Sequence, residues 1–403
     1  MKKLLAAFSL LLLSAFVFSG CAKQLPKCDG VEDNPIHHYR MGMELLDQKK
    51  TDEAASKFER ASYCDDNYGP AHAGLAIVEA MRATAKKDNS YKKVDAERAS
   101  EHLKAAYKNA SRPEDEFAYY LASMRVFTIL KASKGWLGEV EDDYKDAMKL
   151  KVDERKLIYY DGREAASYFM GIAFLEAREF QRARDMFGNV LGERAESKWA
   201  ARADKAWKKV DKIVRALAGI TLGDVGREIA VKDSVGRADM AALLIDELKV
   251  DKLFAGRIPL AMADKKKAEF VPADMLNNPF REEAETLMKW NVRGLEPIYD
   301  EMTKAYLFKP DNQVTRKELA FVIEDVLMKI TGDEGLATAY FGHEKSPFPD
   351  VAPSSAWYNA IMNVATRNIM EGELSGEFRP NDSVDGAEAI LAVRVLRQHL
   401  NIH

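Results

Sequence analysis

The chain has 403 residues, 47% of them hydrophobic and 31% charged, and carries a formal net charge of −4. That length accommodates two or three domains with substantial cores, and a weakly acidic balance excludes the basic field that recruits nucleic acid. Ala, Leu, Lys, Glu and Arg recur while runs of β-branched residues are rare, so an all-α fold is expected.

The first twenty residues read as an address rather than as part of the fold. Lys2 and Lys3 precede LLAAFSLLLLSAFVF, an apolar run too short to span a bilayer comfortably, and Ser19-Gly20-Cys21 follows. FSGC resembles the lipobox of bacterial lipoproteins, in which the Cys is lipidated and becomes the new N-terminus. The resemblance implies a signal peptide over 1–20, a lipid anchor at Cys21 and a linker over 21–35. Ala22 after the Cys implies outer-membrane sorting of the Gram-negative type. Without lipidation the same stretch is an ordinary secretory signal. Two cysteines remain, Cys28 before the first expected helix and Cys64 at the end of the second. An antiparallel hairpin brings those points together, and outside the cytoplasm the two can pair as a staple. Two free thiols are the alternative.

From 36 to 196 apolar and small residues recur at the spacing of amphipathic helices. In YRMGMELLDQKKTDEAASKFERA, the positions Gly42, Leu45, Ala54, Phe58 and Ala61 resemble the packing positions of a tetratricopeptide repeat. A second copy offers Gly74, Ile77, Ala99, Leu103 and Ala106. A third, over about 114–150, keeps Tyr144 and Ala147, and a fourth restores Gly171, Phe174, Ala183 and Phe187. The resemblance implies a short superhelix whose concave face grips a protein partner. A spacer that holds the next domain away from the membrane is the other reading. Tyr119, Tyr120, Tyr159 and Tyr160 suit either a binding face or burial between helices.

Farther on, FKPDNQVTRKEL at 308–319 returns as FRPNDSVDGAEA at 378–389 and, worn, as IAVKDSVGRADM at 229–240. Thr315 with Glu318 forms a capping box at a helix start, Val314 and Leu319 a hydrophobic staple, and Pro310 with Asp311 and Asn312 a turn. The other copies cap with Asp385 and Glu388, and with Gly236 and Asp239. Helix formation does not explain Arg316 and Arg237, since a cation at the second helical position opposes the helix dipole. Two readings stand. Each guanidinium holds an acidic ligand group at the helix start, or each is solvated or bridges to a neighbouring repeat's acid.

VTRKELAFVIEDVL resembles the core of an S-layer homology motif, whose hallmark is Ile/Val-Thr-Arg-Ala-Glu. The last copy adds FPDV at 348–351, AWYNAIMNVATRNIMEG and FRPN, so Phe348, Asp350, Val351, Trp357, Ala360, Ile369, Gly372, Phe378 and Pro380 fit the family's order. Degenerate motifs over about 197–250, 268–330 and 347–400 would fill a second domain, 197–403. The resemblance implies a pseudo-threefold helical domain that binds cell-wall polysaccharide or peptidoglycan in grooves between motifs. Its glycan-binding residues would be Arg316, Thr315, Arg237, Asp350 and Trp357. Gly386 stands where the family has Arg, so at most two grooves keep the arginine clamp.

None of the seven histidines forms HExxH or a Cys/His metal spacing, and no phosphate-binding glycine loop or Gly-x-Ser-x-Gly elbow appears. No enzyme activity, cofactor or metal is therefore expected. The order anchor, protein-binding repeat and wall-binding repeat describes a non-enzymatic envelope adaptor joining membrane, protein partner and wall polymer. A scaffold subunit of an envelope assembly or export complex, with no glycan binding, is the alternative.

Overall fold

The computed structural model describes Cys28 and residues 30–194, 196–257 and 271–401. Cys21 and the signal segment lie outside the described residues. Among the described residues the fold is all-α apart from one short hairpin, and the chain divides into two compact units, Met1–Asp204 and Lys205–His403. The division falls later than the 196/197 boundary read from the sequence, inside the helix Lys198–Ala216.

The first unit is built from helix pairs: α1 Pro35–Asp47 with α2 Thr51–Cys64, α3 Gly69–Ala85 with α4 Asn89–Lys108, α5 Pro113–Leu130 with α6 Trp136–Lys149, and α7 Glu164–Glu176 with α8 Phe180–Glu193. Helix α1 starts where Asn34 accepts a hydrogen bond from the His37 N–H and Pro35 takes the first turn, a position that needs no donor. The first helices of successive pairs also touch, α3 with α5 and α5 with α7, as in a stack in which each pair meets its neighbours.

Why the pairs close so tightly is visible at two phenylalanines. Phe58 of α2 is fully buried, and a Cβ added at Gly42 or Gly74 would lie 2.5 or 2.3 Å from its ring. The fourth pair repeats the arrangement, with Phe187 buried against Gly171. The turns repeat as well. Lys49 and Arg178 both take left-handed φ, 61° and 63°, and the next residue donates to the Leu45 or Phe174 carbonyl at 3.0 and 2.9 Å. The first and fourth pairs are thus copies down to the turn.

Cys28 and Cys64 form a disulfide with Cα atoms 5.3 Å apart, tying the segment before α1 to the end of α2. Tyr159 and Tyr160 are buried, and the Tyr159 hydroxyl donates to Asp47, which also receives Arg202 at 2.6 Å. Tyr119 and Tyr120 are half-buried and pack on each other, and Tyr119 also packs on Tyr107.

His72 of α3 and His102 of α4 meet with their Nδ1 atoms 3.2 Å apart. One must donate and the other accept, so the contact requires at least one neutral ring. Burial pushes both pKa values below the ordinary 6.5, and for His102 the neighbouring His72 adds to it. The unfolded chain therefore binds protons first, so stability is complete above about pH 6.5 and falls as the pH drops through the depressed folded values. Thermal unfolding followed at pH 7.5 and pH 5 should show a lower Tm at pH 5, and His102→Gln should flatten that dependence.

Candidate functional site

The second unit begins within α9, Lys198–Ala216, and continues through α10 Asp224–Ala230, α11 Arg237–Ala242 with a π turn at Leu243–Glu247, and α12 Val250–Arg257. Then come α13 Arg281–Lys289, the hairpin β1 Ile298–Asp300 and β2 Ala305–Leu307, α14 Arg316–Thr331, α15 Tyr358–Ala365 and α16 Gly386–His399. The antiparallel hairpin, with Tyr299 opposite Tyr306, is the insertion that lengthens the second motif.

Helices α11, α14 and α16 begin alike. Their N-caps Gly236, Thr315 and Asp385 have φ of −83°, −85° and −85° and ψ of 168°, 163° and 166°. Just before them, three valines close a ring. The Val235 N–H donates to the Val384 carbonyl at 2.8 Å, Val384 to Val314 at 2.9 Å, and Val314 back to Val235 at 2.9 Å. All three are buried, so each motif satisfies backbone groups of the other two. This ring is the pseudo-threefold axis of the unit. The staple reading of Val314 accounts for its apolar side chain and misses its backbone pairing.

The two arginines cross from one motif to the next. From Arg237, Nε donates to the Phe308 carbonyl at 2.8 Å, Nη1 to Gly294 and Nη2 to Glu296, both carbonyls at 2.7 Å. From Arg316, Nε donates to the Phe378 carbonyl at 2.7 Å, Nη2 to the Glu371 carbonyl at 2.6 Å, and Nη1 pairs with the Glu388 carboxylate. Each guanidinium also lies over the phenylalanine ring of the turn it grips, at 5.1 and 4.7 Å. Arg316 is 4% exposed, and burial depresses the pKa of both.

Of the two readings of Arg316 and Arg237, these contacts favour a bridge to the neighbouring repeat over a ligand clamp. All three nitrogens of each side chain are engaged within the fold, and for Arg316 one partner is a neighbouring motif's acid. Thr315 is similarly occupied, since its hydroxyl and N–H both donate to Glu318 Oε2, at 2.7 and 2.8 Å. Asp350 accepts from the Phe378 and Arg379 N–H groups at 2.9 and 2.6 Å. It thereby holds a turn in which Arg379 adopts φ 55°. Asp274 does the same for the second motif, accepting from Phe308 and Lys309 at 3.0 and 2.7 Å, with Lys309 also at φ 55°. The sequence signal for Asp274 was its place in ADML, opposite PDVA of the last motif. Through these four backbone contacts, the Asp that opens each motif holds the turn that leads into the motif's second helix.

Trp357 differs from the others. It caps α15, is half-buried, stacks edge-on with Phe321 at 5.3 Å and has Lys317 Nζ 5.6 Å from its ring. Lys317 in turn donates to Asn381 Oδ1 at 2.7 Å. A half-buried indole beside Lys317, with Asn381 on that lysine, can stack on an apolar sugar face and hydrogen-bond its rim.

At the third junction the family's Arg is absent for a steric reason. A Cβ at Gly386 would sit 1.8 Å from the Ile229 carbonyl oxygen. Ile229 occupies the register of Phe308 and Phe378, whose carbonyls receive the arginines elsewhere. Here the two backbones touch directly, with the Gly386 N–H donating to the Lys232 carbonyl at 2.9 Å. Gly386→Ala should therefore destabilise the second unit by about 1–3 kcal/mol through overpacking, read as a lower urea midpoint.

Three repeated helix starts thus close into a ring around buried valines. Residues 347–390 match the S-layer homology domain, a domain that implies an association with the cell envelope. No curated protein and no solved structure matches the chain. Among the described residues no helix is long and apolar enough to cross a membrane.

Proposed function

We propose that the protein is a non-enzymatic envelope lipoprotein adaptor. Its second unit binds cell-wall polysaccharide or peptidoglycan, its first unit binds a protein partner on tetratricopeptide-like helix pairs, and Cys21 carries the lipid anchor. The observation that carries the wall-binding reading is the S-layer homology match at 347–390, extended to three motifs by the valine ring. With both arginines engaged internally, Trp357, with Lys317 beside it, is the side chain we assign to glycan contact.

The scaffold reading, with no glycan binding, is favoured by one specific observation, the internal use of Arg237 and Arg316. Sedimentation of the mature protein with purified sacculi separates the two. Co-sedimentation that is lost in Trp357→Ala, with the circular dichroism spectrum retained, supports the adaptor. An intact protein that stays in the supernatant leaves only the scaffold. Palmitate labelling that persists in Cys21→Ser would remove the anchor from that residue.

A further inference from the structure

The three junctions of the ring are not alike. Arg237 crosses one and Arg316 another, but at the third the backbones meet at Gly386, and a cleft of about 230 Å³ lies beside that contact. Its walls carry Lys205, Lys209 and Lys212 from α9 and Lys232 from the loop after α10. The first three follow at helical spacing, so their ammonium groups share one face.

Asp233 and Asp385 also line the cleft. Lys209 pairs with Asp233 at 2.7 Å, Lys212 with Asp385 at 2.5 Å and Lys232 with Asp239 at 2.7 Å. Four lysines against two aspartates leave the lining net positive. The pair to Asp233 is weakly held, because that side chain is 92% exposed and exposed pairs contribute little.

We propose that this cleft binds a phosphate group. Several ammonium groups around a small concavity act as movable point charges that can follow the oxygens of a tetrahedral phosphate anion, and lysine binds phosphate in this way without an arginine fork, none of which lines the cleft. The phosphate can come from a phosphodiester in the wall polymer, which rests on the wall-binding reading above, or from a phospholipid headgroup, which does not.

The probe is inorganic pyrophosphate, titrated calorimetrically into the full mature chain at low salt. Binding should weaken at least tenfold in Lys209→Gln/Lys212→Gln and collapse as salt rises. Lys205→Gln, at an exposed position that cannot disturb the core, should weaken it several-fold, so the idea stays testable if the double variant fails to fold. No pyrophosphate binding, or binding unchanged in folded variants, overturns the proposal.

Two further arms locate the phosphate. Loss of co-sedimentation with sacculi stripped of phosphodiesters by hydrofluoric acid identifies the wall, and pelleting with phosphatidylglycerol but not phosphatidylcholine vesicles identifies lipid. If the double variant and the intact protein bind both sacculus preparations equally, the phosphate cleft is refuted and wall binding stands. If pyrophosphate binds and no sacculus does, wall binding is refuted and the cleft stands.

Discussion

Arg316→Ala should lower the unfolding free energy of the second unit by about 3–5 kcal/mol, the usual cost of deleting one partner of a buried ion pair. The side chain is 5% exposed, and its loss strands the Glu388 carboxylate together with the Phe378 and Glu371 carbonyls. Lysine is no substitute, because one ammonium cannot reach three acceptors arranged for a fork. Arg316→Lys should recover less than half of the loss. Urea unfolding monitored by tryptophan fluorescence reads both variants, and a loss under about 1 kcal/mol, the value of an exposed pair, would contradict the burial described here. A drop in sacculus binding by Arg316→Ala would then report damage to the fold and not removal of a ligand contact.

Phe58→Ala should be comparably severe in the first unit, at about 3–5 kcal/mol. The ring is fully buried and fills the space left by two glycines, Gly42 in its own pair and Gly74 in the next. Truncation opens a cavity that neither glycine can fill, so the first two pairs should loosen together. Thermal unfolding should show a lowered transition, and Gly74→Ala should destabilise as well, since its Cβ would meet the ring at 2.3 Å. Stability unchanged in Phe58→Ala would remove this contact as the hinge pin of the two pairs.

The repeats, caps and turn chemistry were legible in the sequence because they are local. Thr315 with Glu318, and Asp385 with Glu388, announce helix starts from a few adjacent residues. The glycine and phenylalanine packing positions were likewise marked by spacing. The role of Arg316 was not legible, because its acceptors lie 55 to 72 residues away. The sequence showed only that helix stability did not recommend a cation there, and both a ligand and a neighbour satisfied that deficit equally well. Gly386 was legible as a departure and not as a necessity, since the carbonyl that forbids a side chain there belongs to Ile229. The valine ring escaped for a related reason. A backbone hydrogen bond leaves no trace in residue type when the side chain already has an apolar task.

The circular handshake of Val235, Val314 and Val384 sets how this unit is able to evolve and to fold. An open stack gains or loses a repeat at its end and stays folded, because each repeat answers only to its neighbours. Here the last motif answers to the first, so deleting any one leaves two unmatched backbone edges. The count of three is thus a condition of closure, and change is confined to insertions at the rim and to the side chains along its seams.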